Sequence, residues 1–306
     1  MAINDKKGHV HGKIGPLVYR SNKGQQIVQS LPRKFKQTIA TQLTGHEFGL
    51  ASTISAAMRH VIAMIIDQSD SGMAHRFTSL IRNSLHHAEK PIGERDLHDA
   101  NLKDFRGFQF NLDAPFERTL KKTPISTIDE AGVLHFELDI TDTEDDFAFV
   151  QQVPKITPAI KLTSIAFDFR KNVVQTVDHQ EFQIPSHQPY TIQYTSSKNL
   201  PPGAIIVVLL SLHYYTAGWL TDLKPIQDSR YNASGILHAF HATENMAEKG
   251  DDQVFRPIGE QMYLLNDVER KLNDMQQIIK REKKQETKRK ETKEAHPRLI
   301  YAKKKS

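Results

Sequence analysis

The feature that most constrains the fold lies between about residues 113 and 243. There, β-prone runs alternate with turn residues and no helical period intervenes. Residues 125–128, the turn Glu130-Ala131-Gly132 and residues 133–138 read as a hairpin. Further strands are expected at 160–169, 173–184, 190–194, 204–215 and 234–240. They are separated by Arg170-Lys171-Asn172, Pro185-Ser186-His187 and Asn199-Leu200-Pro201-Pro202-Gly203. Without a βαβ rhythm, this series predicts an antiparallel β-sandwich of Ig-like type rather than a parallel sheet. In residues 160–169 the alternation is imperfect. Ile160, Leu162, Ser164, Ala166 and Asp168 share one face, and Lys161, Thr163, Ile165, Phe167 and Phe169 the other. Apolar residues on both faces suit a strand covered on both sides.

Residues 37–90 read as helical. Phe48, Ala51, Ile54, Ser55, Met58, Ile62 and Ile65 recur at steps of mostly three and four. Met73, Phe77, Leu80, Ile81, Ser84 and Leu85 do the same beyond a break at Ser69-Asp70-Ser71-Gly72. The expected pair of amphipathic helices must pack on each other and on the next domain to hide its stripes. Near the start, residues 16–20 and 25–29 flank Ser21-Asn22-Lys23-Gly24, a hairpin signal. Gly8, Gly12 and Gly15 precede it without the spacing of a nucleotide loop, which leaves them a turn-forming role. Toward the end, Ile258, Met262, Leu265, Leu272, Met275 and Ile279 form a marginal heptad seam, with Val268 slightly offset. That seam predicts a helix that self-associates or packs back on the body. The expected class is α+β: a basic hairpin arm (1–36), a helical segment (37–112), the β-sandwich (113–243), a linker (244–257), and a long helix with a basic tail (258–306).

Charge divides along the same boundaries. The 306 residues carry a net +5, but residues 1–36 hold +7 and residues 280–306 hold +8, so −10 is left for residues 37–279. A globally basic nucleic-acid binder does not look like this. Any polyanion contact is expected from the two ends. The candidates are Lys13, Arg20, Lys23, Arg33, Lys34 and Lys36, with Lys283, Lys284, Lys288, Arg289 and Lys290. Glu residues interspersed among the last group favour a solvated helix.

Recognisable chemistry is sparse. There is no Cys, which excludes thiol catalysis, disulfides and Cys-ligated metals. His9-x-His11 and His238-x-x-His241 are close pairs with no third ligand fixed, and residues 142–146 lack the calcium-loop pattern. No nucleophile elbow or Walker loop occurs. Trp219 reads as a packed or edge residue, and Asn232-Ala233-Ser234 as a chance glycosylation match. No cofactor is expected. The longest apolar run, residues 204–210, is too short to span a bilayer, and no signal segment is read, so a cytoplasmic location is expected.

Gly12-Lys13-Ile14-Gly15-Pro16-Leu17-Val18-Tyr19-Arg20, Gly24, the stretch from Ile27 through Ser30-Leu31-Pro32-Arg33-Lys34, Thr38 and the helix from Phe48 together resemble an uncharacterised bacterial family known chiefly from the Bacteroidetes group. The resemblance covers roughly residues 8–240. It implies a Gly-rich basic hairpin, a helix and a β-sandwich, and brings no activity with it. Together these readings predict a non-enzymatic structural or protein-interaction protein. The alternative is a protein that associates with nucleic acid or another polyanion through its basic ends.

Overall fold

Residues 204–215, the most apolar stretch of the chain, become the central strand of the molecule. The computed structural model describes residues 2–6, 8–22, 25–31, 37–148, 156–186, 188–197, 199–217, 223–247 and 263–295. It divides the chain into two compact units, Met1–Gln42 and Leu43–Ser306.

The first unit is a four-stranded antiparallel meander of β1 (Ala2–Asn4), β2 (Val10–Ile14), β3 (Leu17–Asn22) and β4 (Gln25–Ser30). The expected hairpin is present as β3–β4. It is extended by two short strands that carry little β signal: Gly12 interrupts β2 at positive φ, and Gly8 and Gly15, also at positive φ, lie in the turns that flank it.

The second unit is mixed α+β. Two helices, α1 (Ile39–Ile62) and α2 (Met73–His86), lead through short turns of helix, including α3 (Phe116–Thr119) and α4 (Thr143–Asp146). Of the strands, β5 (Ile125–Ile128), β6 (Leu134–Ile140) and β9 (Tyr190–Thr195) form a three-stranded antiparallel sheet. A larger sheet runs β8 (Val173–Gln183), β7 (Ile156–Asp168), β10 (Ile205–Ala217). Beyond β10, β11 (Leu223–Ile226) pairs with one end of that strand and β12 (Ser234–His241) with the other. The sequence gives no sign of β11, which is four residues long and contains Pro225, a residue tolerated at a sheet edge.

Period-two alternation sorts the central strands onto two different cores. Ile205, Val207 and Leu209 of β10, with Ile165 and Phe167 of β7, pack against Leu50, Ile54 and Met58 of α1 and Phe77 and Ile81 of α2. Ile206, Val208, Leu210, Leu212 and Tyr214 face the opposite way. They pack with Ile160 and Leu162 against Leu134, Phe136 and Leu138 of the smaller sheet. The larger sheet therefore lies between a helical layer and a second sheet. The sequence anticipates both the strand covered on both sides and the helical pair packed on the β domain, but not that the helices form one of its two covers. A final helix, α5 (Tyr263–Ala295), buries Val268 and Met275 in the helical core. Ile279 of α5 lies over Gly93, where φ is +91° and a Cβ would stand 2.9 Å from its methyl.

The turn between α1 and α2 is fixed by Asp70. Its carboxylate receives two bonds from the Arg76 guanidinium, both 2.7 Å, and the backbone N–H groups of Gly72 (2.8 Å) and Leu112 (2.9 Å). The Arg76 bonds, with these backbone donors, hold Asp70 well below the usual carboxylate range. Its stabilisation is complete above the unfolded value near pH 4 and is lost as pH falls toward the folded one. Asp70→Asn is expected to reduce stability by about 2–3 kcal/mol at neutral pH. The gap to the parent should close in urea unfolding curves taken progressively below about pH 4.

Candidate functional site

The N-terminal unit combines pairing with exposure. The register Gly12↔Tyr19, Ile14↔Leu17 and Tyr19↔Val28 places these residues with Val10 on one face of its sheet. Ser21, Gln26 and Ser30 share that face, which carries no charge among the described residues. Lys13 and Arg20 lie on the reverse face with Val18 and Ile27. Asp5, the only acidic residue of this stretch, is spent on the β1–β2 turn. It receives the His9 N–H at 2.8 Å and lies 3.1 Å from His11 Nε2. No described residue between 2 and 31 is buried. Six of the eleven large, exposed hydrophobic residues among those described fall in this short stretch: Ile3, Ile14, Leu17, Ile27, Val28 and Leu31.

Of the cations expected to meet a polyanion, Lys13 and Arg20 are exposed on one sheet face. Lys283, Lys284 and Lys288 are exposed on α5, and Arg289 and Lys290 lie on the same helix. Lys23, Arg33, Lys34 and Lys36 fall outside the described residues. So do Ile258, Met262 and Trp219. Leu265 lies within α5. Leu272 packs against the helical core, Met275 is buried in it, and Ile279 is half-buried against Gly93. This half of the seam thus packs on its own chain, together with the offset Val268. Asn232 is buried, its amide donating at 3.3 Å to Asp67 and at 3.4 Å to the Leu212 carbonyl, so it is no surface acceptor for a glycan.

The His pairs do not converge. His238 Nε2 lies 2.9 Å from Ser126 Oγ on β5, and burial, with the charge of Arg106, holds its imidazole below the ordinary value. Among the described residues no group of three or more His, Asp or Glu is placed to hold a metal.

A constellation the sequence reading passed over lies where the helical layer ends. Ser211 and His213 are two apart on β10, so they share a face. Ser211 Oγ is 2.8 Å from His213 Nε2, and His213 Nδ1 is 2.6 Å from Asp67, in the connection after α1. The order Ser–His–Asp is that of an activated nucleophile, but the setting is different. Ser211 is 1% exposed and sits in regular strand, not on a strained turn. Its strand is paired on both sides, with Lys161 opposite on β7 and Ser234 opposite on β12. The backbone donors around it thus serve the sheet rather than an oxyanion. What this relay does is tie the end of α1 to the central strand. The S-x-H spacing within a predicted strand is its one sequence signal. Beside it on the same sheet face, Lys161 pairs with Glu181 at 3.3 Å. Although burial works against its charge, Tyr215 and Glu181 hold the Lys161 ammonium above its ordinary value.

Asp67→Ala leaves the His213 Nδ1–H without its acceptor and is expected to cost about 1–3 kcal/mol in urea unfolding. An effect below about 0.5 kcal/mol would show that the relay does not fasten the helix.

No family model, curated protein or solved structure matches the chain.

Proposed function

We propose that the protein is a non-enzymatic structural or interaction protein that associates with a second copy of itself through its N-terminal sheet. The observation that carries this reading is the uncharged apolar face of Val10, Ile14, Leu17, Tyr19 and Val28, of which Ile14, Leu17 and Val28 are exposed and none is buried. Stable sheets bury such a face against another layer, and two sheets stack readily when both are apolar. A second copy supplies an identical uncharged face. It also keeps Lys13 and Arg20 of the two copies on the outer surfaces, away from each other. Burying a half-exposed aliphatic side chain is worth roughly 1–2 kcal/mol. Eight such side chains and two tyrosine rings in a pair are of the same order as the freedom lost on association, so a reversible dimer is the natural outcome. The resemblance to an uncharacterised bacterial family supports this architecture only.

Static light scattering on the full chain should report a dimer, and Ile14→Ser/Val28→Ser a monomer. The dimer should persist at about 0.5 M salt, where charge contacts are screened. Dissociation by salt, or an unchanged mass in the double variant, would overturn the stacking.

A second reading rests on the exposure of Lys13 and Arg20 on one face and of Lys283, Lys284 and Lys288 on α5. These groups suit a polyanion. Retention on a heparin column at low salt, lost in Lys13→Ala/Arg20→Ala, would favour it. The non-enzymatic part of the proposal has its own check. A serine-directed fluorophosphonate should leave the folded protein unlabelled, and labelling at Ser211 would refute it.

A further inference from the structure

The two sheets of the second unit do not close against each other along one side. β5 is the edge of the smaller sheet, and Ile125 on it is 65% exposed. On the larger sheet, the segment before α3 pairs with the outer edge of β12: Gly107 N–H donates to the Ile236 carbonyl, Ile236 N–H to Phe108, and Phe110 N–H to Ser234, each 2.8 Å. Gly235 permits this approach, since a Cβ there would meet the Phe108 carbonyl oxygen at 2.8 Å and the Phe116 ring at 3.0 Å. The pairing ends at Gly107. Between there and β5 a cleft of about 290 Å³ opens toward the intersheet core.

Its chemistry is divided. Leu120, Leu210, Leu237 and Phe116 give apolar walls, all belonging to the intersheet core or packed against it. Arg106 and Lys122 stand in the lining. Arg106 is exposed and forms no ion pair among the described residues. Lys122 reaches only to 3.9 Å from Asp146, whose other carboxylate oxygen is taken by the Thr141 and Asp142 N–H groups. The one carboxylate in the lining, Glu117, already receives both bonds of the Gln109 amide, at 3.1 and 3.2 Å. Gln109 in turn accepts the Phe116 N–H at 3.0 Å, so its position is fixed. Two loosely held cations against one engaged carboxylate leave the lining net positive above an apolar floor.

We propose that this cleft binds a small amphipathic anion, a carboxylate on a short alkyl or aryl body, with its apolar part between the sheets and its head at Arg106 and Lys122. A volume near 300 Å³ lies at the small end of ligand pockets, which excludes a long chain or a folded peptide. A shared apolar floor with charge at the mouth is the arrangement that orients such a ligand in one direction.

The test uses the full chain and octanoate, with octanol as the uncharged probe of matched length, each titrated by calorimetry. Octanoate should bind at one site about tenfold or more tightly than octanol. Arg106→Glu, an exposed change, should remove that preference and leave the melting temperature intact. Leu237→Trp, which fills the cleft, should remove binding of both probes. Equal affinity for the two probes, or octanoate binding unchanged in Arg106→Glu, would overturn the assignment. So would loss of binding in Ile14→Ser/Val28→Ser rather than in Leu237→Trp, which would move the site to the N-terminal sheet. The inference is independent of self-association, since it uses no residue of the first unit.

Discussion

The pairing of β7 with β10 is the constraint on which the second unit depends. Both strands are thirteen residues long and nearly every position along them is buried. A strand buried on both faces has no solvent side to which a misplaced residue can turn. Its register must therefore satisfy two cores at once. A slip by one residue would exchange the whole set Ile205, Val207, Leu209 with the set Ile206, Val208, Leu210, presenting each to the wrong layer. Two bulges adjust the neighbouring strands to this fixed pair, one on β8 opposite Ser164/Ile165 and one on β12 opposite Val208/Leu209. The second shifts the alternation of β12 by one, so that Ile236 and Ala239, three positions apart, both face the helical core.

The same strand shows how polar groups are admitted to such an interior. On the helical side of β10, apolar residues give way to Ser211 and His213 where the helices end. The polar groups of the relay are matched in turn, Ser211 to His213 and His213 to Asp67, with Asn232 donating to Asp67 as well, whereas the buried Ser234 hydroxyl opposite Ser211 finds no partner among the described residues. Removing any member strands its neighbour, which is why such networks fix a unique arrangement more than they add net stability. The likeness to a catalytic triad follows from the same need. A serine, an imidazole and a carboxylate are simply a short way to pass one hydrogen-bond demand from a dry interior to a partly exposed acid.

The strands of the second unit were legible in the sequence because turn residues bound them and because their apolar runs were long. Residues 204–215 and 234–240 were read within a residue or two of β10 and β12. The helical pair was legible for the complementary reason: its stripe recurs at three and four, and Ser69-Asp70-Ser71-Gly72 breaks it. What escaped was everything fixed by distance in the chain rather than by local pattern. β1 and β2 are short, with Gly12 breaking β2, and β11 pairs only because β10 overshoots β12. Asp67 meets His213 across 146 positions. The cleft takes its walls from four separate stretches, near residues 106–109, 116–126, 210 and 235–237, none carrying a motif. The proposed interaction surface was half legible. The basic character of the N-terminal arm could be counted, whereas its apolar face required the register of four strands.

That register changes what the charge of the arm can mean. A net of +7 over residues 1–36 suggests an element whose business is electrostatic. Yet the pairing Lys13↔Val18 and Arg20↔Ile27 puts these two cations on one face only, and leaves the other neutral. The proposed attraction to an anion and the proposed burial of the apolar face would therefore fall on opposite sides of the same sheet. They do not compete for surface, and they respond oppositely to ionic strength, because screening weakens the first and leaves the second intact. A sheet of this kind that was only an electrostatic arm would have no reason to carry Ile14, Leu17 and Val28 together on its uncharged side. Since exposed apolar faces are a hazard that chains ordinarily avoid, their retention argues that this one is covered when the protein works, and that the cations lie on the outside of whatever covers it.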